Sequence, residues 1–128
     1  MKKILLVEDD PLMLDIYSNR LKKEGYVVDT ANNPEKAMDK LVNNTPDLLI
    51  LDLNLGVEAG PNDGLAILKS IRQNQSIKNL KVIVMSNYNS KNYPELSNLS
   101  YLGVIKSFLK VENTPQEIIK SVKEILTD

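Results

Sequence analysis

Short apolar runs alternate with helical periodicities along the whole chain. Lys3 to Val7 reads as a first strand. Asp10-Pro11 then opens a helix, with Asp as the cap and Pro in the first turn. Met13, Ile16, Tyr17 and Leu21 share one face of it, and Gly25 is placed to end it. Tyr26 to Ala31 is a weaker strand with polar interruptions, as at a sheet edge. Asn33-Pro34 caps a second helix that buries Ala37, Met38, Leu41 and Val42. Leu48 to Asp52 is the most continuously apolar strand and is therefore expected at the centre. A third helix starts near Asp63-Gly64 with Leu65, Leu68 and Ile71 turned inward, and Lys81 to Met85 forms a fourth strand. A fourth helix is expected within Asn87 to Ser100, weakened by its asparagines, serines and Pro94. Leu102 to Ile105 reads as a fifth strand. Thr114-Pro115-Gln116-Glu117 is a capping box for a last helix that buries Ile118, Ile119, Val122, Ile125 and Leu126.

Five strands alternating with five helices predict an α/β domain, a doubly wound parallel sheet covered on both faces. Right-handed crossovers leave few topologies, and the flavodoxin-like strand order 2-1-3-4-5 leads. In such sheets ligands bind beyond the carboxyl ends of the strands. One domain over residues 1–128 is expected, with no output domain after the last helix.

Composition narrows the chemistry. The chain has 16 basic and 17 acidic residues, so it lacks the basic excess of a nucleic-acid binder, and none is expected as a partner. No apolar run is long enough to span a bilayer, and the one after Lys2-Lys3 is too short for a signal peptide. No membrane partner is expected. Without cysteine there is no disulfide or thiolate chemistry, which fits a cytoplasmic address. Without histidine there is no histidine base, histidine metal site or phosphohistidine carrier.

The strand ends carry what remains. The first ends in Glu8-Asp9-Asp10, the third in Asp52, the fourth in Ser86 and the fifth in Lys106. Singly, each has an ordinary reading: Asp10 as a helix cap, Ser86 as a turn residue, Lys106 reaching water. Jointly they gather on one edge of the sheet. Facing carboxylates need a cation, and a donor set of oxygens alone suits Mg²⁺. A lysine and a hydroxyl beside Asp52 complete a constellation suited to phosphoryl transfer onto a carboxylate.

With these residues in view, the chain resembles the receiver domain of bacterial two-component response regulators over essentially its whole length. The matching pieces are "ILLVEDD" at 4–10, "PDLLILDLN" at 46–54, "DGLAILKSIR" at 63–72, "VIVMS" at 82–86 and "VIKSF" at 104–108. The resemblance implies that Asp52 is the phosphoacceptor. It implies Asp9 and Asp52 as Mg²⁺ ligands, with Glu8 acting through water and Asn54 through its backbone carbonyl. Ser86 is implied as the switch hydroxyl and Lys106 as the lysine on the phosphoryl group. The implied partners are a histidine kinase or phosphotransfer protein and a downstream protein that the sequence does not name. No enzymatic turnover beyond slow autodephosphorylation is implied.

The chain also departs from the family. The loop at 55–62 is longer than usual, and Asn87 stands where a small alanine is customary. Gly103 occupies the place of the switch aromatic three residues before Lys106, and Ser107 replaces the proline after it. Two other readings stay open. One is a docking module whose acids are only structural. The other is a small Mg²⁺-dependent aspartyl phosphohydrolase, although Asn54 stands where such an enzyme needs a second carboxylate.

Overall fold

The computed structural model describes residues 1–55, 62–87 and 99–127. Its strands are β1 (Lys3–Val7), β2 (Val27–Ala31), β3 (Leu48–Asp52), β4 (Lys81–Ser86) and β5 (Val104–Leu109). Its helices are α1 (Pro11–Lys23), α2 (Pro34–Asn43), α3 (Asn62–Gln73) and α4 (Pro115–Ile125). All strand pairs are parallel and the order is β2-β1-β3-β4-β5, as the alternation predicts. A 3₁₀ turn at residues 99–102 precedes β5. The rest of the helix expected over Asn87 to Ser100, and most of the 55–62 loop, lie outside the described residues.

Side-chain alternation sorts the core into two layers. On one face Leu5, Val7, Leu49, Leu51, Val82 and Val84 meet Ala37 and Leu41 of α2 and Leu65, Leu68 and Ile71 of α3. On the other, Ile4, Leu6, Leu48, Ile50, Ile83 and Met85 meet Tyr17 and Leu21 of α1 and Ile118 and Val122 of α4. Every residue of β3 is buried, which explains its unbroken apolar run. Burying side chains of this size stabilises by roughly 1.5–3 kcal/mol each, so the sheet centre is the rigid platform on which the strand ends stand.

The helix starts follow local signals. The Asp10 carboxylate accepts from the Leu12 N–H at 3.0 Å and Asn33 Oδ1 accepts from the Lys36 N–H at 2.9 Å. Thr114 and Glu117 form the reciprocal capping box.

Two glycines are fixed by their surroundings. A Cβ on Gly64 would overlap the Leu53 Cα and fall 2.7 Å from Leu53 Cδ2, so only glycine lets the start of α3 rest on the backbone just after Asp52. Gly103 has φ +74, and its Cβ would sit 3.0 Å from Nη2 of Arg72. That guanidinium donates to the carbonyls of Lys78, Leu80, Leu102 and Gly103 at 2.6–3.1 Å. Gly103 is therefore the turn residue that launches β5.

Strand five differs from its expected span. It begins at Val104 and continues to Leu109, rather than covering Leu102 to Ile105. Val82 pairs with Val104 but Ile83 pairs with Lys106, so Ile105 is an extra residue, a bulge. As an edge strand with most positions exposed or half-buried, β5 carries no clean hydrophobic alternation to mark its ends.

Candidate functional site

The carboxyl ends of β1, β3, β4 and β5 converge on one buried polar cluster. Glu8 follows β1, where its N–H donates to the Ala31 carbonyl at 3.1 Å. Its side chain is turned inward and the residue is 1% exposed, while Asp9 beside it is exposed. Asp52, the last residue of β3, is 0% exposed. Its Oδ1 accepts from the Asn54 N–H at 2.9 Å, which ties the carboxylate to the turn that follows. Ser86 ends β4, also buried, and its carbonyl accepts from the Lys110 N–H at 2.8 Å.

Among the described residues, the cation of the cluster is Lys110. Its Nζ lies 2.7 Å from Asp52 Oδ2 and 3.1 Å from Glu8 Oε2. This corrects the expectation for Lys106, which is not brought to Asp52. Lys106 is half-exposed, with Nζ 3.4 Å from Ser121 Oγ and 3.9 Å from Glu124 Oε2. The reason is the length of β5: four residues of strand separate the two lysines, about 13 Å along its axis. A sequence signal did distinguish them. Lys106 lies eight residues before the Thr114 cap and Lys110 only four, and a short strand-to-helix connection favours the nearer one. "VIKSF" obscured it because its phenylalanine follows a lysine at the family's spacing.

Among the described residues, three acids and one cation leave the cluster short of positive charge. Burial, reinforced by the adjoining Asp52 carboxylate and opposed by Lys110, pushes the Glu8 carboxyl up to about 8. Burial alone would lower the Lys110 ammonium, but its bonds and ion pairs with Asp52 and Glu8 outweigh this and raise it. Glu8, Asp9 and Asp52 each offer a carboxylate oxygen within 4.8 Å of the others. Oxygen donors of this charge, with no nitrogen or sulfur among them, fit a hard divalent cation such as Mg²⁺. The cluster thus combines a buried carboxylate, a lysine against it and a place for a cation. Asp10 takes no part, because its side chain caps α1.

Comparisons with known proteins agree with this geometry. The family profile of the response regulator receiver domain matches residues 4–123. Response regulator ArlR of Staphylococcus saprophyticus is 30% identical over 142 residues, covering 100% of this chain and 60% of that protein. The alkaline phosphatase synthesis transcriptional regulatory protein PhoP of Bacillus subtilis is 31% identical, covering 98% of this chain and 48% of that protein. The chain thus spans about half of these curated relatives. Among solved structures, response regulator TrrA of Thermotoga maritima, in complex with Mg²⁺-BeF, is 32% identical with a TM-score of 0.78. It covers 98% of this chain and 100% of that one. A CheY-like receiver domain protein from Methanospirillum hungatei has a TM-score of 0.81 at 25% identity, covering 98% and 94% of the two chains. Among the described residues no helix is long and apolar enough to cross a membrane. Sheet order, acid cluster and similarity lead to one conclusion: the chain belongs to the response regulator receiver domain family.

Proposed function

We propose that Asp52 accepts a phosphoryl group from a phosphohistidine on a histidine kinase or phosphotransfer protein, and that the phosphorylated domain alters its binding to a downstream protein. A carboxylate oxygen of Asp52 attacks phosphorus while the P–N bond to the imidazole breaks. The electron pair leaves on the imidazole nitrogen, which takes a proton from solvent, and nothing is oxidised or reduced. The single observation that carries the reading is the 2.7 Å contact between Lys110 and a carboxylate that is otherwise fully buried at a central strand end.

In this reading Lys110, rather than Lys106, holds the phosphoryl oxygens, and Ser86 at the end of β4 is the hydroxyl that donates to them. Asp9 and Asp52 would hold Mg²⁺ directly, with Glu8 acting through water and the Asn54 carbonyl completing the set. When bound, the ion neutralises charge on the transferred oxygens. Asp9 is exposed, which leaves that side of the cluster open to a donor.

With Lys110 in this role, the position three residues before it is Ser107, exposed on β5, and the residue after it is Val111. The family's switch aromatic is missing at Ser107 just as it is at Gly103. Phe108 is no substitute, because it pairs with Met85 and packs into the core layer beside α4. The phosphohydrolase reading is disfavoured by the amide at Asn54. The proposal concerns the receiver alone, since the curated relatives extend well beyond it.

The test is phosphorylation with acetyl phosphate and Mg²⁺, read by intact mass. One added phosphoryl group is expected on the wild type and none on Asp52→Asn. Because the 55–62 loop is long, a null result with the small donor is repeated with a phosphorylated histidine kinase. A null result with both donors overturns the proposal.

A further inference from the structure

α3 joins the phosphoacceptor to the far end of the sheet. Its first turn rests on Leu53, the residue after Asp52, with no room for a Cβ on Gly64. Its last turn carries Arg72, whose guanidinium holds the Leu102 and Gly103 carbonyls that launch β5 and the Lys78 and Leu80 carbonyls that precede β4. The helix has 12 residues, and Gly64 and Arg72 lie about 12 Å apart along its stiff axis. Leu65, Leu68 and Ile71 seat it on the sheet.

Phosphorylation has a reason to disturb the first contact. Asp52 Oδ2 accepts from the Lys110 ammonium and Oδ1 from the Asn54 N–H. The charge-assisted bond is the stronger of the two, so Oδ1 is the oxygen more cheaply given to phosphorus. Lys110 can also follow a phosphoryl group on its flexible stem, whereas the Asn54 N–H belongs to the backbone. Re-aiming that N–H turns the chain at Leu53, where Gly64 leaves no slack.

We propose that α3 transmits the phosphorylation state of Asp52 to the turn at 99–103, with the Leu53–Gly64 contact as its input and the Arg72 clamp on Leu102 and Gly103 as its output. The inference rests on the receiver reading. It supplies a route that does not need an aromatic at Gly103 or Ser107. Tyr101, 89% exposed in the same turn, is where the change reaches the surface.

The test is NMR of the full chain titrated with beryllium fluoride and Mg²⁺, which mimic the phosphoryl group. In the wild type, amide signals of Asn54 and Lys110 are expected to shift together with those of Tyr101 and Gly103. In Arg72→Ala, Asn54 and Lys110 still shift, while the Tyr101 and Gly103 shifts shrink to within the line width. Circular dichroism checks the fold. If Arg72→Ala does not fold, Arg72→Lys keeps the charge but cannot bridge four carbonyls, and the same loss is expected. Wild-type shifts at Asn54 and Lys110 without any at Tyr101 and Gly103 overturn the coupling. So does survival of the distal shifts in the folded Arg72 variant. No shift at Asn54 or Lys110 in the wild type is a different failure, that of the receiver reading, and the coupling falls with it.

Discussion

Lys110 and Asp52 meet through a 2.7 Å ion pair across the ends of β5 and β3, although 58 residues separate them in the chain. Both side chains are withdrawn from solvent, at 14% and 1% exposure, so the pair is held in a low-dielectric setting where an unmatched charge is costly. Lys106, earlier on β5, meets the exposed Glu124 carboxylate at 3.9 Å and the Ser121 hydroxyl at 3.4 Å, neither of them part of the acid cluster.

The two lysines therefore differ sharply in what their removal does. Lys110→Ala leaves Asp52 and Glu8 facing each other without a cation, and breaking a buried pair this way costs about 3–5 kcal/mol. Lys106→Ala removes a surface contact worth about 0–1 kcal/mol. Urea denaturation of the two variants at neutral pH without Mg²⁺ checks the difference. Equal midpoints would mean that Lys110 does not hold the buried acids.

Glu8 makes the stability of the metal-free protein depend on pH. Its folded pKa, about 8, lies above the ordinary 4.5, so the folded state binds the proton more tightly. The associated stability is fully present below pH 4.5 and is lost as pH rises through 8. The chain has no histidine, so few other groups titrate between pH 5.5 and 8. Urea midpoints of the wild type are expected to fall across that window, and those of Glu8→Gln to stay flatter. A wild-type midpoint that rises with pH would contradict the environment described for Glu8.

Neighbouring acids are expected to separate by role. Asp9→Asn removes a charge from the three-carboxylate cluster and should weaken Mg²⁺ affinity at least tenfold by isothermal titration. Asp10→Asn keeps a competent helix cap and should leave that affinity nearly unchanged. Asp10→Ala should cost about 1 kcal/mol of stability through loss of the bond to the Leu12 N–H. Indistinguishable Mg²⁺ titrations for Asp9→Asn and Asp10→Asn would remove Asp9 from the ligand set.

What could be read from the chain was what local signals encode. The unbroken apolar run of β3, the Asp10, Asn33 and Thr114 caps and the β/α alternation are short-range features, and strand order follows from handedness and length. Asp52, Glu8, Asp9 and Ser86 could be gathered because a parallel sheet brings its strand ends to one edge. The lysine could not be chosen that way. β5 is an exposed edge strand whose bulge at Ile105 breaks the period, so two lysines four residues apart competed for one place. The structural role of Gly103 is hidden from the sequence for a related reason. Its partner is Arg72, 31 residues away, and no local pattern links a positive φ to a guanidinium so distant.

The central claim is that Asp52 takes the phosphoryl group, and borohydride trapping tests it most directly. The reagent reduces an aspartyl phosphate to homoserine, leaving a permanent mark on the residue that carried it. The protein is phosphorylated with acetyl phosphate or a phosphorylated histidine kinase in the presence of Mg²⁺, treated with borohydride and mapped by peptide mass spectrometry. Homoserine at position 52, absent when Mg²⁺ is chelated, is the predicted result. Homoserine at position 9 or 10, or phosphate on Ser86 with position 52 unmodified, would contradict the account.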